Sequence, residues 1–426
     1  MNKSMFSKCR GPFIGLIFFM VLLLLGEGAG YLFAGTPRRL ERIHALLQQD
    51  ARLFWKQKPN LDVMFEGARV KTNELGLRDV PIRSKSGQIR IICLGASPTF
   101  GWGVEQNEVY AKRLEQLLQK SFTGKSIEVI NAGQIGYSSF QGSRFLKEDI
   151  VRLAPDIITV SYVINDVDKY RFYRSDGKAD KDLGPRNETL VAIENFLDKS
   201  KFFAGYKKLM LGAQSLPVKY FGKQGAGEYV DYRRVSAQDY HDNLKDIINT
   251  AKANGIEVVL LKLPVNLPAA QHISNDLRKE ADGKIDAAIT QGHEKKFQEA
   301  LAGLKEALML NPNSARAYYY LGQFSLMTNQ AAQAEEYFKK TVLMELYECQ
   351  GLAAEYNSIM QDIAREERLV LVDIVSEFAE YSRQNKEYLF LDPDHDTIHP
   401  NKLGHALIGR ALFRILIENK LFHKIG

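Results

Sequence analysis

Short apolar runs recur along the chain, each closed by small or polar residues. Ile89–Leu94, Ile127–Ile130, Ile157–Val163, Ile256–Leu263 and Leu369–Val372 have the length and branched content of buried strands. Between them the spacing becomes helical. Tyr110, Leu114, Leu117 and Leu118 fall on one face, as do Tyr240, Leu244, Ile247, Ile248 and Ala251. Gly255 supplies a stop for the second of these helices. Further helices are predicted over Phe140–Leu153, around Leu352–Ile363, and over Leu403–Ile417. Strands alternating with helices predict an α/β fold, a parallel sheet covered on both faces.

One segment breaks the alternation. Residues 281–345 read as helix throughout, and Ala300 matches Ala334 and Leu304 matches Phe338 at a common spacing of 34 residues. Tyr318, Leu321 and Gly322 stand where a tetratricopeptide repeat places an aromatic, a leucine and a glycine. Two repeats cannot stand alone as a solenoid, so the main domain must brace them. From Lys169 to about Arg234 the pattern is irregular, aromatic and basic, with no clear period.

The N-terminus follows another logic. Lys3, Lys8 and Arg10 precede Pro12–Leu25, which carries no charge. That run spans about 21 Å as a helix, short of a roughly 30 Å hydrocarbon core. Extended through Ala34 it is long enough, with Glu27 near the outer interface. An uncleaved signal anchor is expected. The cluster Gly28-Ala29-Gly30 keeps a cleaved signal peptide as the alternative. Either way the remainder is exported, and the anchor reading places a single-pass protein in a bacterial inner membrane with its main domain on the periplasmic side. The expected organisation is an anchor over 1–35, a stalk over 36–69, an α/β domain over 70–280 and 349–426, and a helical insertion over 281–348.

Composition narrows the classes. Apolar residues make up 45% and charged residues 25%, as in an ordinary globular protein. A net charge of +6 without a long basic run gives nucleic-acid binding no support. Cys9, Cys93 and Cys349 are too scattered for a disulfide framework or a zinc site. No phosphate loop, nicotinamide fingerprint or metal cluster is visible, so no cofactor and no metal are expected.

Candidate chemistry lies at the ends of the strands, where open α/β sheets bind ligands. Ser97 follows the first strand, Gly133 the second and Asn165 the third, while His399 lies on the loop before the last helix. A serine hydroxyl needs a base to take its proton, and an imidazole that titrates near neutrality suits that task. Asp396, three residues before His399, is spaced to hold the other ring nitrogen on a tight or helical turn. Asp392 and Asp394 lack that spacing, His405 reads as packing or surface, and Asp373 reads as a helix cap. The amides of Ser97 and Gly133 with the side-chain amide of Asn165 are candidate oxyanion donors.

Four blocks, LGASPTFGWGV, VINAGQIGYSS, YVINDV and DTIHPNKLGHALIG, occur in that order. Together they resemble the SGNH hydrolase family, also called GDSL esterases, and VKTNELGLRD resembles the lead-in of membrane-anchored, exported members. The resemblance covers roughly residues 70–280 and 350–420. It implies a flavodoxin-like three-layer α/β/α fold, Ser97 as nucleophile, Gly133 and Asn165 as oxyanion donors, and Asp396 with His399 on one loop. It also implies a serine esterase; acetyl is the expected acyl group and an acylated envelope or exported glycan the expected substrate. A transacylase using the same residues, and an inert scaffold binding a protein partner through the repeats, are the alternatives. One position departs from the family pattern: Ala96 stands where an acidic residue usually precedes the serine.

Overall fold

A computed structural model describes residues 39–167, 179–200, 203, 233–266, 273–392 and 396–421. The expected membrane anchor over 1–35 lies outside these residues. Among the described residues, no helix is long and apolar enough to cross a membrane.

The main unit is built on five parallel strands: β1 (Ile89–Gly95), β2 (Ile127–Gly133), β3 (Ile157–Ser161), β4 (Glu257–Lys262) and β5 (Val370–Asp373). Their spatial order is β2-β1-β3-β4-β5, the flavodoxin-like order. The direction of winding reverses between β1 and β3, and a crevice opens there beyond the strand ends. Every residue of β1 and β3 is buried, which explains why these strands read as unbroken apolar runs. The second strand extends past the predicted Ile130. Asn131, Ala132 and Gly133 pair in register with Cys93, Leu94 and Gly95, although the polar asparagine ends the apolar pattern.

Helices cover both faces. Helix α1 (Ser97–Phe100) is a single short turn after β1, and α2 (Tyr110–Ser121) returns along the sheet. Where a helix was predicted over Phe140–Leu153, α3 (Ser139–Phe145) runs into a wider turn and then a tighter one. Helix α4 (Ala237–Ala253) leads into β4 and buries the five residues predicted for its inner face. Helix α9 (Ile374–Asn385) follows β5, and α10 (Lys402–Glu418) closes the chain. Tyr110, Leu114 and Leu118 of α2, Phe378 of α9, and Ile408, Leu412 and Leu416 of α10 pack with Ile89, Ile91, Cys93 and Leu261 in one core. Cys93 is a core residue whose thiol is pushed up to about 12 by burial.

Between β4 and β5 stand α5 (Asn275–His293), α6 (Phe297–Leu310), α7 (Ala315–Met327) and α8 (Ala331–Glu366). The first three have a core of their own around Ile285, Leu304, Leu321 and Phe324. Helix α8 is 36 residues long. It begins in the helical module, where Phe338 is buried. Near its other end Tyr356 packs at a tilt on Tyr240 of α4, with ring centroids 4.8 Å apart, and donates its hydroxyl to the Val235 carbonyl at 2.7 Å. One continuous helix thus braces the insertion against the sheet domain.

The segment expected as a stalk is folded. The described residues 39–56 and 185–200 belong to a compact unit apart from the main one. Its described elements are the helix Arg39–Leu46, the paired strands Leu47–Asp50 and Phe54–Gln57, and the helix Glu188–Leu197. Asp62–Phe65 and Ala68–Lys71 form an antiparallel hairpin in the main unit.

Candidate active site

Ser97 opens α1 directly beyond β1, with Pro98 holding the first turn and Gly101, at φ 86°, ending it. As the first residue of that turn, Ser97 has an amide with no acceptor within the helix. Ala96 is the residue at the N-cap and makes no side-chain cap bond, as an alanine must.

His399 and Asp396 lie on a short strand, β7 (Asp396–Pro400), paired irregularly with β6 (Phe390–Asp392). A loop or helical turn was expected there. Their contact survives on the bulged strand because one carboxylate oxygen of Asp396 accepts both the His399 backbone N–H, at 3.2 Å, and the ring nitrogen Nδ1, at 2.7 Å. The second oxygen lies 2.9 Å from Nδ1. On the far side of the ring, Nε2 is 2.8 Å from Ser97 Oγ. The three side chains are largely buried: Ser97 is 8% exposed, and the His399 and Asp396 side chains are 12% exposed each. In this geometry Nδ1–H donates to the carboxylate, and Nε2 accepts from the hydroxyl.

The oxyanion donors differ from expectation at one position. The Gly133 N–H donates to Asn131 Oδ1 at 3.0 Å, because the side chain two residues back folds onto it. What Gly133 contributes in this structure is room. A Cβ there would lie 2.1 Å from the Phe100 nitrogen, so α1 can rest on the end of β2 only against glycine. Asn165 donates one amide hydrogen to the Tyr137 carbonyl at 2.9 Å, which aims the side chain and leaves its second hydrogen.

Several supporting residues went unnoticed in the sequence. Trp102 lies flat on the His399 ring at 4.8 Å, with the planes 8° apart, and Phe65 presses edge-on against Trp102 at 4.7 Å. Arg78 is fully buried, and its guanidinium donates to the carbonyls of Phe100, Gly101, Arg69 and Val104. Burial lowers its pKa to about 10, which leaves it charged near neutrality. Asp79 pairs with Lys112 at 2.8 Å and accepts the Asn131 N–H at 2.8 Å. The VKTNELGLRD block therefore clamps the loop that carries Ser97. In sequence the block showed turn residues and a resemblance to a family lead-in, but not the contacts that its charges make.

A second polar cluster supports Asn165. The Arg234 guanidinium donates to Gly136 O, Gln141 Oε1 and the Asp180 carboxylate. Asp180 also accepts the Ser138 hydroxyl at 2.7 Å. Next to Asn165, Asp166 is fully buried and accepts the Ser139 N–H at 2.8 Å and its hydroxyl at 2.5 Å. Burial pushes its carboxyl up to about 7.

The other candidates take structural places. His405 is fully buried, accepts the Tyr110 N–H at 3.3 Å, and is held neutral by burial, which lowers its pKa to about 3. Asp373 caps α9 by accepting the Ser376 N–H and pairs with Lys262. Asp394 lies outside the described residues. Beside Ser97, a small apolar cleft at the ends of β1, β3 and β4 is lined by Ala96, Pro98, Val163, Leu261, Leu263 and Ile398. Among the described residues no group of side chains could hold a metal ion.

A parallel α/β sheet with a buried serine at its switch point, bonded to a histidine that is bonded in turn to a carboxylate, is the arrangement of a serine hydrolase. Residues 293–345 match the tetratricopeptide repeat family model. A search of curated proteins finds no match. Similar solved structures include a mutant of Axe2, an acetyl-xylooligosaccharide esterase from Geobacillus, at 14% identity and a TM-score of 0.40, covering 78% of this chain and 95% of that one. They also include a lipase/acylhydrolase from Enterococcus faecalis, at 13% identity and a TM-score of 0.38, with coverages of 78% and 97%. An alpha/beta hydrolase enzyme from the metagenome of Lake Arreo, Spain, is similar at 13% identity and a TM-score of 0.37, with coverages of 78% and 96%. Identity and superposition are both loose, and the chemistry is defined by the geometry of the site itself.

Proposed function

We propose that the protein is a serine esterase of the SGNH type that removes a small acyl group, acetyl first among them, from an envelope or exported glycan. The observation that carries this reading is the continuous hydrogen-bonded line from Ser97 Oγ through His399 to Asp396. Ser97 Oγ attacks the ester carbonyl carbon as His399 Nε2 takes the hydroxyl proton. Asp396 holds the ring in the correct tautomer and stabilises the imidazolium. The oxyanion is received by the Ser97 N–H and the remaining Asn165 hydrogen. Removing one such donor costs about 2.7–4 kcal/mol of barrier. The alkoxide leaves with the proton from His399, water then attacks the acyl-serine in the same manner, and the acid is released. The small apolar cleft beside Ser97 suits the alkyl end of a short acyl group. The export signal and the family resemblance support an anchored enzyme outside the cytoplasm and an envelope glycan as substrate.

The test uses the full-length protein in detergent. A fluorophosphonate is expected to label the wild type, and p-nitrophenyl esters are expected to be cleaved, with acetate preferred to octanoate. Ser97→Ala should lose both activities, and Asp396→Asn should lower kcat by about 10⁴-fold. Turnover surviving in Ser97→Ala removes the nucleophile assignment. Acyl transfer to an added oligosaccharide that outpaces hydrolysis replaces the esterase with a transacylase.

A further inference from the structure

We propose that Arg234 is a positioning residue of the reaction: it fixes the Tyr137 carbonyl that aims the Asn165 amide at the oxyanion. This inference rests on the esterase reading, in which Asn165 is an oxyanion donor.

A carboxamide is planar, so the direction of one N–H sets the direction of the other. The Asn165 hydrogen given to the Tyr137 carbonyl, at 2.9 Å, therefore aims the hydrogen left for the oxyanion. Whatever turns that carbonyl turns the donor with it. Tyr137 lies on the short loop between β2 and α3. The chain turns there through Gly136, at φ 77°, a left-handed conformation that glycine adopts freely, and side chains reaching the turn fix it. Just beyond, Ser138 caps α3 in a reciprocal pair with Gln141.

Arg234 reaches this loop from 98 residues along the chain. Its Nη1 donates to the Gly136 carbonyl at 2.7 Å, and its Nη2 donates to Gln141 Oε1 at 2.7 Å. Asp180 orients the guanidinium, accepting from Nη2 at 2.9 Å and from Nε at 3.2 Å, and it also takes the Ser138 hydroxyl at 2.7 Å. The Arg234 and Asp180 side chains are 5% and 2% exposed. Main-chain bonds tie the pair to the site. The Asp180 N–H donates to the Arg234 carbonyl at 2.9 Å, and the Val235 N–H donates to the Asp166 carbonyl at 3.2 Å. The neighbour of Asn165 is thus bonded to the neighbour of Arg234.

A buried ion pair adds little net stability, because desolvation offsets most of the attraction. What a guanidinium adds is a rigid, planar fork of donors, which a lysine ammonium lacks. Here the fork grips the chain on both sides of Tyr137, the residue that Asn165 contacts.

The experiment is a double-mutant cycle on the full-length protein in detergent, with Asn165→Ala, Arg234→Lys and their combination. Turnover of p-nitrophenyl acetate and the rate of fluorophosphonate labelling are both measured, since each reaction places charge on an oxygen facing the same donors. Arg234→Lys is expected to lower kcat about tenfold with KM within about twofold, as a misaimed donor does. In the Asn165→Ala background the same substitution should change kcat by less than about twofold, because the donor it aims is gone. The labelling rate should fall with kcat in each variant. If a thermal melt shows Arg234→Lys unfolded, Asp180→Asn, which keeps the guanidinium and loosens its fork, takes its place in the cycle with the same expectation. Wild-type turnover in the single variant, or an equal loss in both backgrounds, overturns the inference. Wild-type kcat in Asn165→Ala overturns the donor assignment and this inference with it, while turnover surviving in Ser97→Ala overturns the esterase reading itself.

Discussion

Trp102 makes the base of the site rigid. A flat indole at 4.8 Å restricts rotation of the His399 ring, so that the line from Ser97 to Asp396 is held before substrate arrives. An aromatic pair of this kind is worth about 0.5–1.5 kcal/mol. Trp102→Ala should therefore lower kcat by about threefold to tenfold with KM nearly unchanged, and Trp102→Phe should recover most of the loss. Steady-state kinetics on p-nitrophenyl acetate checks both. The serine, histidine and aspartate were legible in sequence because their chemistry is restrictive and their spacing short or tied to strand ends. Trp102 was not legible. It stood in a quoted block, but nothing in one dimension says which ring it covers. Asp166 adds a pH dependence. Its carboxyl is pushed up to about 7 by burial, against about 3.9 in an unfolded chain. Between these values the unfolded state has lost a proton that the native state keeps. Stability therefore falls as pH rises through that window, by up to about 1.4 kcal/mol per unit, and levels off above it. Asp166→Asn should remove that slope, so the variant gains on the wild type from about pH 5 to about pH 8 in urea unfolding.

At the scale of elements, the site depends on how closely α1 sits on the ends of two strands. Arg78 holds the carbonyls of the loop from one side, and Gly133 lets the α1 backbone touch β2 from the other. Gly133→Ala should push α1 outward, lowering the thermal midpoint and reducing kcat at least a hundredfold. A variant that keeps wild-type turnover would show that α1 tolerates the shift. This dependence also marks what patterning could and could not give. Five strands were readable because burial on both faces leaves unbroken apolar runs. The last three residues of β2 were missed because Asn131 is polar for a reason other than sheet pairing: its side chain holds Phe100 O and Gly133 N. The strand β7 was read as a loop because DPDHDTIHPN has the composition of a turn, and its ladder is short and irregular.

In the main unit the repeats have an apolar core of their own, apart from the one beneath α2 and α10, and α8 joins the repeats to the sheet domain. The repeat core and the sheet core share no residue. Leu304→Ala should cost about 3 kcal/mol in the repeats alone, seen as faster hydrogen exchange in α5–α7, with turnover within about twofold of the wild type. Leu412→Ala, in the sheet core, should lower stability and turnover together. The repeat insertion was legible from its 34-residue period, whereas the brace formed by Tyr356 and Tyr240 belongs to a contact between distant helices.

Ser97 and His399 are 302 residues apart, and the bond between them crosses nearly the whole main unit in sequence. A ribosome places the nucleophile in the chain long before it makes the base. Any chain cut short by a stop codon or a clipping protease ahead of residue 399 keeps its nucleophile unactivated. Hydrolysis therefore waits until synthesis has passed residue 399, and a product truncated ahead of that residue is chemically silent.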